Sequence, residues 1–297
     1  DDFVDRLAQI LLRERDAYVD RITDGFSTST PVLMLTNKSS IYGRLLVGIA
    51  GIPGSGKSTL TQRVAERVVA LRGPCCAWVG MDGWHYSRSV LDAMHDPGEA
   101  HRRRGAAFTF DSDAFVAFVD KLRHDGMVRL SAPSFSHADK DPVEDAIQIE
   151  PSHTIVLLEG LYCCLNVEPW RRAAKCWDIR WFVDTPHSAA RKRLIQRHVE
   201  SGICPDEASA ACRADNNDLP NGDWILAHLF EPVTDGIAYN VIYITLKVPL
   251  QLLGMPLAAQ GSTSNVHIVC LLETLDKLLA LHIAVDTCVL LLLLQCK

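Results

Sequence analysis

No apolar run in this chain reaches the roughly 20 consecutive residues that a bilayer-spanning helix needs. LLALHIAV and CVLLLLL, near the end, are short and are separated by Asp286. The opening stretch DDFVDRLAQILLRERDAYVDRI is charged and amphipathic and lacks the apolar centre of an export signal, so the expectation is a cytoplasmic protein that does not engage membranes. Basic charge is not in excess either: 30 Lys and Arg stand against 36 Asp and Glu, a formal charge of -6. That excludes a global positive field for nucleic acid, and any anion site has to be local. Cysteine is present, ten in all, but in two adjacent pairs (Cys75/Cys76, Cys163/Cys164) and six singles, without C-x-x-C or Cys/His ligand spacing. Reduced thiols in a cytosolic protein are expected. The last sixty residues lack Phe and Trp and carry six charged side chains, against sixty in the first 237. This break sets the expected organisation: an N-terminal amphipathic helix over 1–24, a main domain over 25–237, and an apolar tail over 238–297. The tail reads as a helical appendage, a partner-binding segment or translated sequence foreign to the fold.

What is there begins with periodicity. Phe3, Leu7, Ile10, Leu11, Tyr18 and Ile22 recur at helical spacing and predict a leading helix on a core. RLLVGIAG, CAWVGMDG, TIVLLEG and DIRWFVD are short β-branched or apolar runs ending in small or acidic residues, as buried parallel strands do. Helical patterns lie between them over 57–71, 112–124 and 187–200. The alternation predicts an α/β fold, an open parallel sheet with helices on both faces.

The first strand runs into GIPGSGKST, where Gly51-x-x-x-x-Gly56-Lys57-Ser58 is a phosphate-binding loop in its required strand-to-helix context. Glycines let successive N–H groups turn onto phosphate oxygens, and a helix starting near Lys57 adds its positive end. Lys57 is expected to reach the β- and γ-phosphates and Ser58 to give its hydroxyl to Mg²⁺, with Pro53, Gly54, Ser55 and Thr59 completing the loop. A dinucleotide fingerprint is excluded, because no third glycine follows Gly56 at the right place. Asp82 ends the second apolar run and Glu159 the third, so both carboxylates point toward the crevice at the strand C-termini. Asp82 reads as a base for an acceptor hydroxyl, and additionally a metal ligand, or as a turn cap. Glu159 reads as a Mg²⁺ ligand, direct or through water, or as half of a strand-end salt bridge. Arg193 and Arg197, one turn apart, either offset charge on a transferring phosphate or line a solvated face; HRRRG at 101–105 either grips an anion or is a wet loop.

GIPGSGKST, MDGWHYSR, RRGAAFTFD, PSFSHADKDPVEDAI, VLLEGLY and RLIQRHVESGI with NNDLPNGDWI together resemble the phosphoribulokinase/uridine kinase family, more narrowly its fungal uridine-kinase-like and pantothenate-kinase-like branch. The resemblance spans roughly 25–235 and implies a P-loop NTPase fold with a helical lid, ATP as donor and Mg²⁺ as cofactor. It implies Asp82 as base, Glu159 at the end of the Walker B strand, and Arg193 and Arg197 on the lid. His85, Arg104, Phe110, Asp111 and His137 are implied to line the acceptor pocket with Asp82, and Asn217 and Asp218 to lie near the nucleotide base. Ala107 stands where that pattern has Pro. The function expected is transfer of the γ-phosphate of ATP to a hydroxyl of a small metabolite, a uridine-like nucleoside or a pantothenate- or sugar-like alcohol. The alternative is an ATP-binding degenerate kinase that serves as a scaffold or a nucleotide-driven interaction protein.

Overall fold

The computed structural model describes residues 2–24, 43–136, 138–230 and, as backbone, 241–245. A parallel sheet is built from β1 (Leu45–Gly51), β2 (Cys76–Gly80), β5 (Ile155–Glu159), β6 (Ile179–Asp184) and β7 (Val241–Thr245), in the order β2-β5-β1-β6-β7. β1 is therefore central, paired with β5 on one side and β6 on the other. All seven residues of β1 and all five of β5 are buried. Their side chains alternate between two cores: Leu46, Ala50, Val156 and Leu158 face one, and Leu45, Val47, Ile49, Ile155 and Leu157 the other. Burial on both faces is why these strands read as continuous apolar runs.

One core lies under α1 (Asp2–Asp24) and α2 (Lys57–Arg72), to which Leu60, Val64 and Val68 contribute. Val4, Leu7, Ala8, Leu11 and Leu12 form the buried stripe of α1, with Phe3 and Ile10 at its margins. The stripe is thus rotated slightly from the one expected around Ile10, and the side chain of Ile22 lies outside the described residues. Arg67 of α2 pairs with Asp5 at 2.6 Å and Arg72 with Asp16, which fixes α1 along α2. The other core lies against α5 (Ser112–His124) and α6 (Trp170–Cys176).

Two short helices, α3 (Arg88–Asp92) and α4 (Pro97–Arg102), follow β2, and α7 (His187–Glu200), α8 (Glu207–Arg213) and α9 (Leu219–Ala227) follow β6. A separate antiparallel hairpin, β3 (Leu130–Ser136) with β4 (Asp141–Ile149), lies outside the main sheet. Sequence periodicity does not announce it, because the hairpin is mostly half-exposed and carries Pro133 and Pro142 within its strands. The pairing register shifts between Ala132 and Ser134, so Pro133 occupies the irregularity where a missing N–H does no harm.

The backbone of β7 pairs with Arg180–Asp184 of β6. Main-sheet pairing therefore extends past residue 237, where the compositional argument places the end of the main domain. Ending the chain at 237 would remove β7 and leave one edge of β6 unpaired, whereas ending it at 246 keeps it. The shorter chain is expected to melt at least ~5 °C below the longer one in a thermal unfolding comparison, a loss of a kcal/mol or two. Equal melting temperatures would show that β7 contributes nothing to stability.

Candidate active site

Gly51 closes β1, and the turn through Gly56 leads into α2 at Lys57. Gly54 and Gly56 adopt φ of 76° and 90°, which side chains disfavour. Asp96, Asp111 and Asp206 cap the helices that follow them with their side chains, but Gly56 at the start of α2 offers none. The first-turn N–H groups of α2 thus remain available to an external anion. From the other side α7 and the residue after β6 hold the loop: Arg193 Nη1 donates to the carbonyls of Gly54 (3.3 Å) and Ser55 (3.1 Å), and Thr185 Oγ1 donates to the Ser55 carbonyl as well (3.1 Å). A Cβ on Gly54 would lie 2.7 Å from the carbonyl oxygen of Ala190 on α7. Gly54→Ala is therefore expected to push loop and helix apart and weaken binding of an ATP analogue at least ~10-fold, since strain of about 1–2 kcal/mol would add to the clash. Unchanged affinity in calorimetry would mean that the loop adapts or does not hold the nucleotide.

Asp82 sits in a single helical turn, Met81–Trp84, directly after β2. Its side chain is 51% exposed, and His85 Nδ1 lies 2.9 Å from the Asp82 carbonyl and 3.9 Å from its carboxylate. Gly83 lets this turn press on the hairpin, because a Cβ there would meet the Pro133 carbonyl oxygen at 2.3 Å. Glu159 ends β5, with Gly80 of β2 as its register partner. It is buried, and its Oε2 has no hydrogen-bond partner. Burial pushes its carboxyl up to about 7, and the charge of Asp82 adds to that; Lys57, the Ser58 hydroxyl and Arg197 oppose it. Four residues on three other chain segments thus act on this one buried carboxylate.

The residues expected on the acceptor side make these contacts. His85 stacks on Phe110 at 3.9 Å and lies near Phe135 at 5.1 Å. Phe110 is buried and meets Tyr162 and Trp170 edge-on. Arg104 braces the hairpin: it donates to the carbonyls of Lys140 (2.6 Å) and Tyr86 (2.9 Å), pairs with Asp141 at 3.3 Å and lies over the Phe135 ring. Asp111 accepts from Ala114 N as the cap of α5. His137 lies outside the described residues. Asn217 and Asp218 belong to a π-helical turn, Ala214–Asp218, and both are buried. Asn217 accepts from Arg103 Nε at 2.9 Å, and Asp218 pairs with His198 of α7 at 2.6 Å. Arg103, His198 and Asn221 were not singled out by sequence reasoning; only the triple-arginine run pointed near the first.

No group of three or more His, Cys, Asp or Glu that could hold a metal occurs among the described residues. A Mg²⁺ ion brought in with a nucleotide needs fewer protein ligands, because phosphate oxygens and water complete its shell. The unpartnered Glu159 oxygen beside Ser58 and the capless α2 terminus fit that group. Nor, among the described residues, is any helix long and apolar enough to cross a membrane.

Residues 46–202 match the family model described as Phosphoribulokinase / Uridine kinase family. The Schizosaccharomyces pombe protein C227.14, which carries a provisional uridine-kinase name, is 40% identical over 197 residues, covering 64% of this chain and 81% of that protein. The ATP-dependent kinase-like protein notR′ of Aspergillus versicolor is 48% identical over 163 residues, 54% of this chain and 94% of that one. A crystal structure from Silicibacter sp. TM1040, provisionally named a fructose transport system kinase, aligns with a TM-score of 0.57 at 28% identity, over 73% of this chain and 96% of that one.

Proposed function

Because the chain belongs to the phosphoribulokinase/uridine kinase family of P-loop kinases, we propose that it transfers the γ-phosphate of ATP to a hydroxyl of a small metabolite. The observation that carries this reading is the buried Glu159 carboxylate, open on one oxygen and acted on by Lys57, Ser58, Asp82 and Arg197. Gly51, Pro53, Gly54, Ser55, Gly56 and Thr59 wrap the phosphates, with the α2 N–H groups pointing at them. Lys57 follows negative charge onto the transferring group, and Arg193 and Arg197 approach it from α7. Ser58 and Glu159, with Asp82 contributing, would hold Mg²⁺, which when bound supplies charge neutralisation on the phosphates.

Asp82 is at the right chain position, exposed at the mouth of the crevice, to take the acceptor proton. The acceptor oxygen then bonds to the γ-phosphorus as its bond to the β–γ bridging oxygen breaks, leaving ADP and a phosphate ester, with the proton on Asp82. Most of the rate enhancement in such a site is positioning and electrostatics. The names of the relatives, one nucleoside-directed and one sugar-directed, support an alcohol acceptor. His85, Phe110 and the loop braced by Arg104 would bound its pocket.

The test is phosphate transfer from labelled ATP by the full chain to a panel of nucleosides, sugars and hydroxy acids. Formation of one labelled ester, dependent on Mg²⁺, is expected. Tight ATP binding with no ester from any member would favour a scaffold instead.

A further inference from the structure

Three consecutive arginines at the end of α4 have different partners. Arg102 Nε donates to the Glu99 carboxylate at 2.8 Å, and Arg104 pairs with Asp141. Arg103 turns the other way and donates to the side-chain oxygens of Asn217 and Asn221, each at 2.9 Å. Arg213 of α8 reaches the same place: its Nη2 and the Asn217 amide both donate to the Arg104 carbonyl at 3.3 Å. Among the described residues every hydrogen-bond partner of Arg103 and Arg213 is neutral, and neither enters an ion pair. The neighbouring carboxylate, Asp218, is directed at His198. The Nε of Arg213 is buried without a partner.

Two partly buried guanidinium groups joined through Asn217 and the Arg104 carbonyl, without a carboxylate partner, carry charge that an anion would offset. Their planar donor forks match a carboxylate or phosphate group. The location adjoins the proposed acceptor side: the Arg104 carbonyl that Arg213 reaches precedes Gly105, whose carbonyl accepts from the Tyr162 hydroxyl, and the Tyr162 ring meets Phe110, on which His85 stacks. We infer that Arg103 and Arg213 form an anion subsite of the acceptor pocket, so that the acceptor carries a carboxylate or phosphate in addition to the hydroxyl that is phosphorylated. This rests on the kinase reading and narrows it: a hydroxy acid or sugar phosphate fits, and an uncharged nucleoside does not.

The experiment saturates the full chain with Mg²⁺ and a non-hydrolysable ATP analogue, so that the phosphate loop is filled. It then titrates matched probes by thermal shift: glycerate against glycerol, pantothenate against panthenol, ribulose 5-phosphate against ribulose. At least one anionic probe should stabilise the chain while its neutral counterpart does not. Arg103→Gln and Arg213→Gln should each weaken that response about 10- to 100-fold, as expected for losing a hydrogen bond to a charged group. The same variants should weaken the anionic probe more than the ATP analogue, and Arg103→Lys should recover part of the response. Equal shifts from charged and neutral partners, no shift from any anion, or wild-type affinity in both Gln variants would overturn the inference. Binding that persists without phosphate transfer in the labelled-ATP assay counts against the kinase reading and leaves the subsite standing.

Discussion

Lys57→Ala is expected to reduce ATP-dependent phosphoryl transfer by about 10²–10³-fold or more while the fold persists. Lys57 opens α2, and its backbone carbonyl accepts from Thr61 Oγ1 at 2.8 Å, a bond that the substitution leaves in place. The loop would keep its glycines and its clamp from Arg193. What disappears is the cation that follows charge onto the transferring phosphate, an interaction that strengthens in the transition state and so lowers kcat more than ATP affinity. Single-turnover transfer with labelled ATP measures it. A variant that keeps more than about a tenth of wild-type turnover would show that this loop is not the catalytic nucleotide site.

Neutralising the two strand-end carboxylates should produce different failures. Asp82→Asn keeps shape and removes the proton acceptor, so kcat should drop about 10²–10⁴-fold, roughly 3–5 kcal/mol, with little change in ATP affinity. Glu159→Gln should instead weaken the hold on Mg²⁺, and raising the metal concentration should relieve part of its defect. Glu159 also bears on stability. Burial raises the folded carboxyl of Glu159 from 4.5 to about 7. Between those values the folded chain binds the proton that the unfolded chain releases, so the nucleotide-free protein loses stability as pH rises through this window. Glu159→Gln removes that loss and should melt higher than wild type at pH 8, although it is the poorer catalyst. Rescue of Asp82→Asn to near wild-type rates by Mg²⁺ alone would make Asp82 a metal ligand and not the base. A lower melting point for Glu159→Gln at pH 8 would mean that the buried carboxylate is compensated within the protein.

The parallel strands, the helices over 57–72, 112–124 and 187–200 and the phosphate loop were legible in the sequence, because each rests on a local cause. Strands buried on both faces must be apolar throughout, helices on a core must repeat at 3.6, and a turn with positive φ at two positions calls for glycine there. The same locality placed Asp82 and Glu159 at or just past strand ends and Lys57 and Ser58 at the start of the helix after β1, on the side where an open α/β sheet gathers ligands. It did not reveal the β3–β4 hairpin, whose half-exposed strands contain proline, nor the π-helical turn at 214–218. Nor could it assign partners. Arg102, Arg103 and Arg104 are identical in the sequence, yet one pairs with its own helix, one with Asn217 and Asn221, and one with the hairpin at Asp141. Likewise Asp111 and Asp82 look alike beside their motifs, but one caps a helix while the other is half exposed in the turn after β2. Local sequence determines which elements form and where their ends lie, because backbone preference and burial act over a few residues. Which side chains meet, and which charges are left without a counter-charge, is decided only when segments more than a hundred residues apart close on each other, as Arg103 does with Asn217 and Arg193 with the phosphate loop.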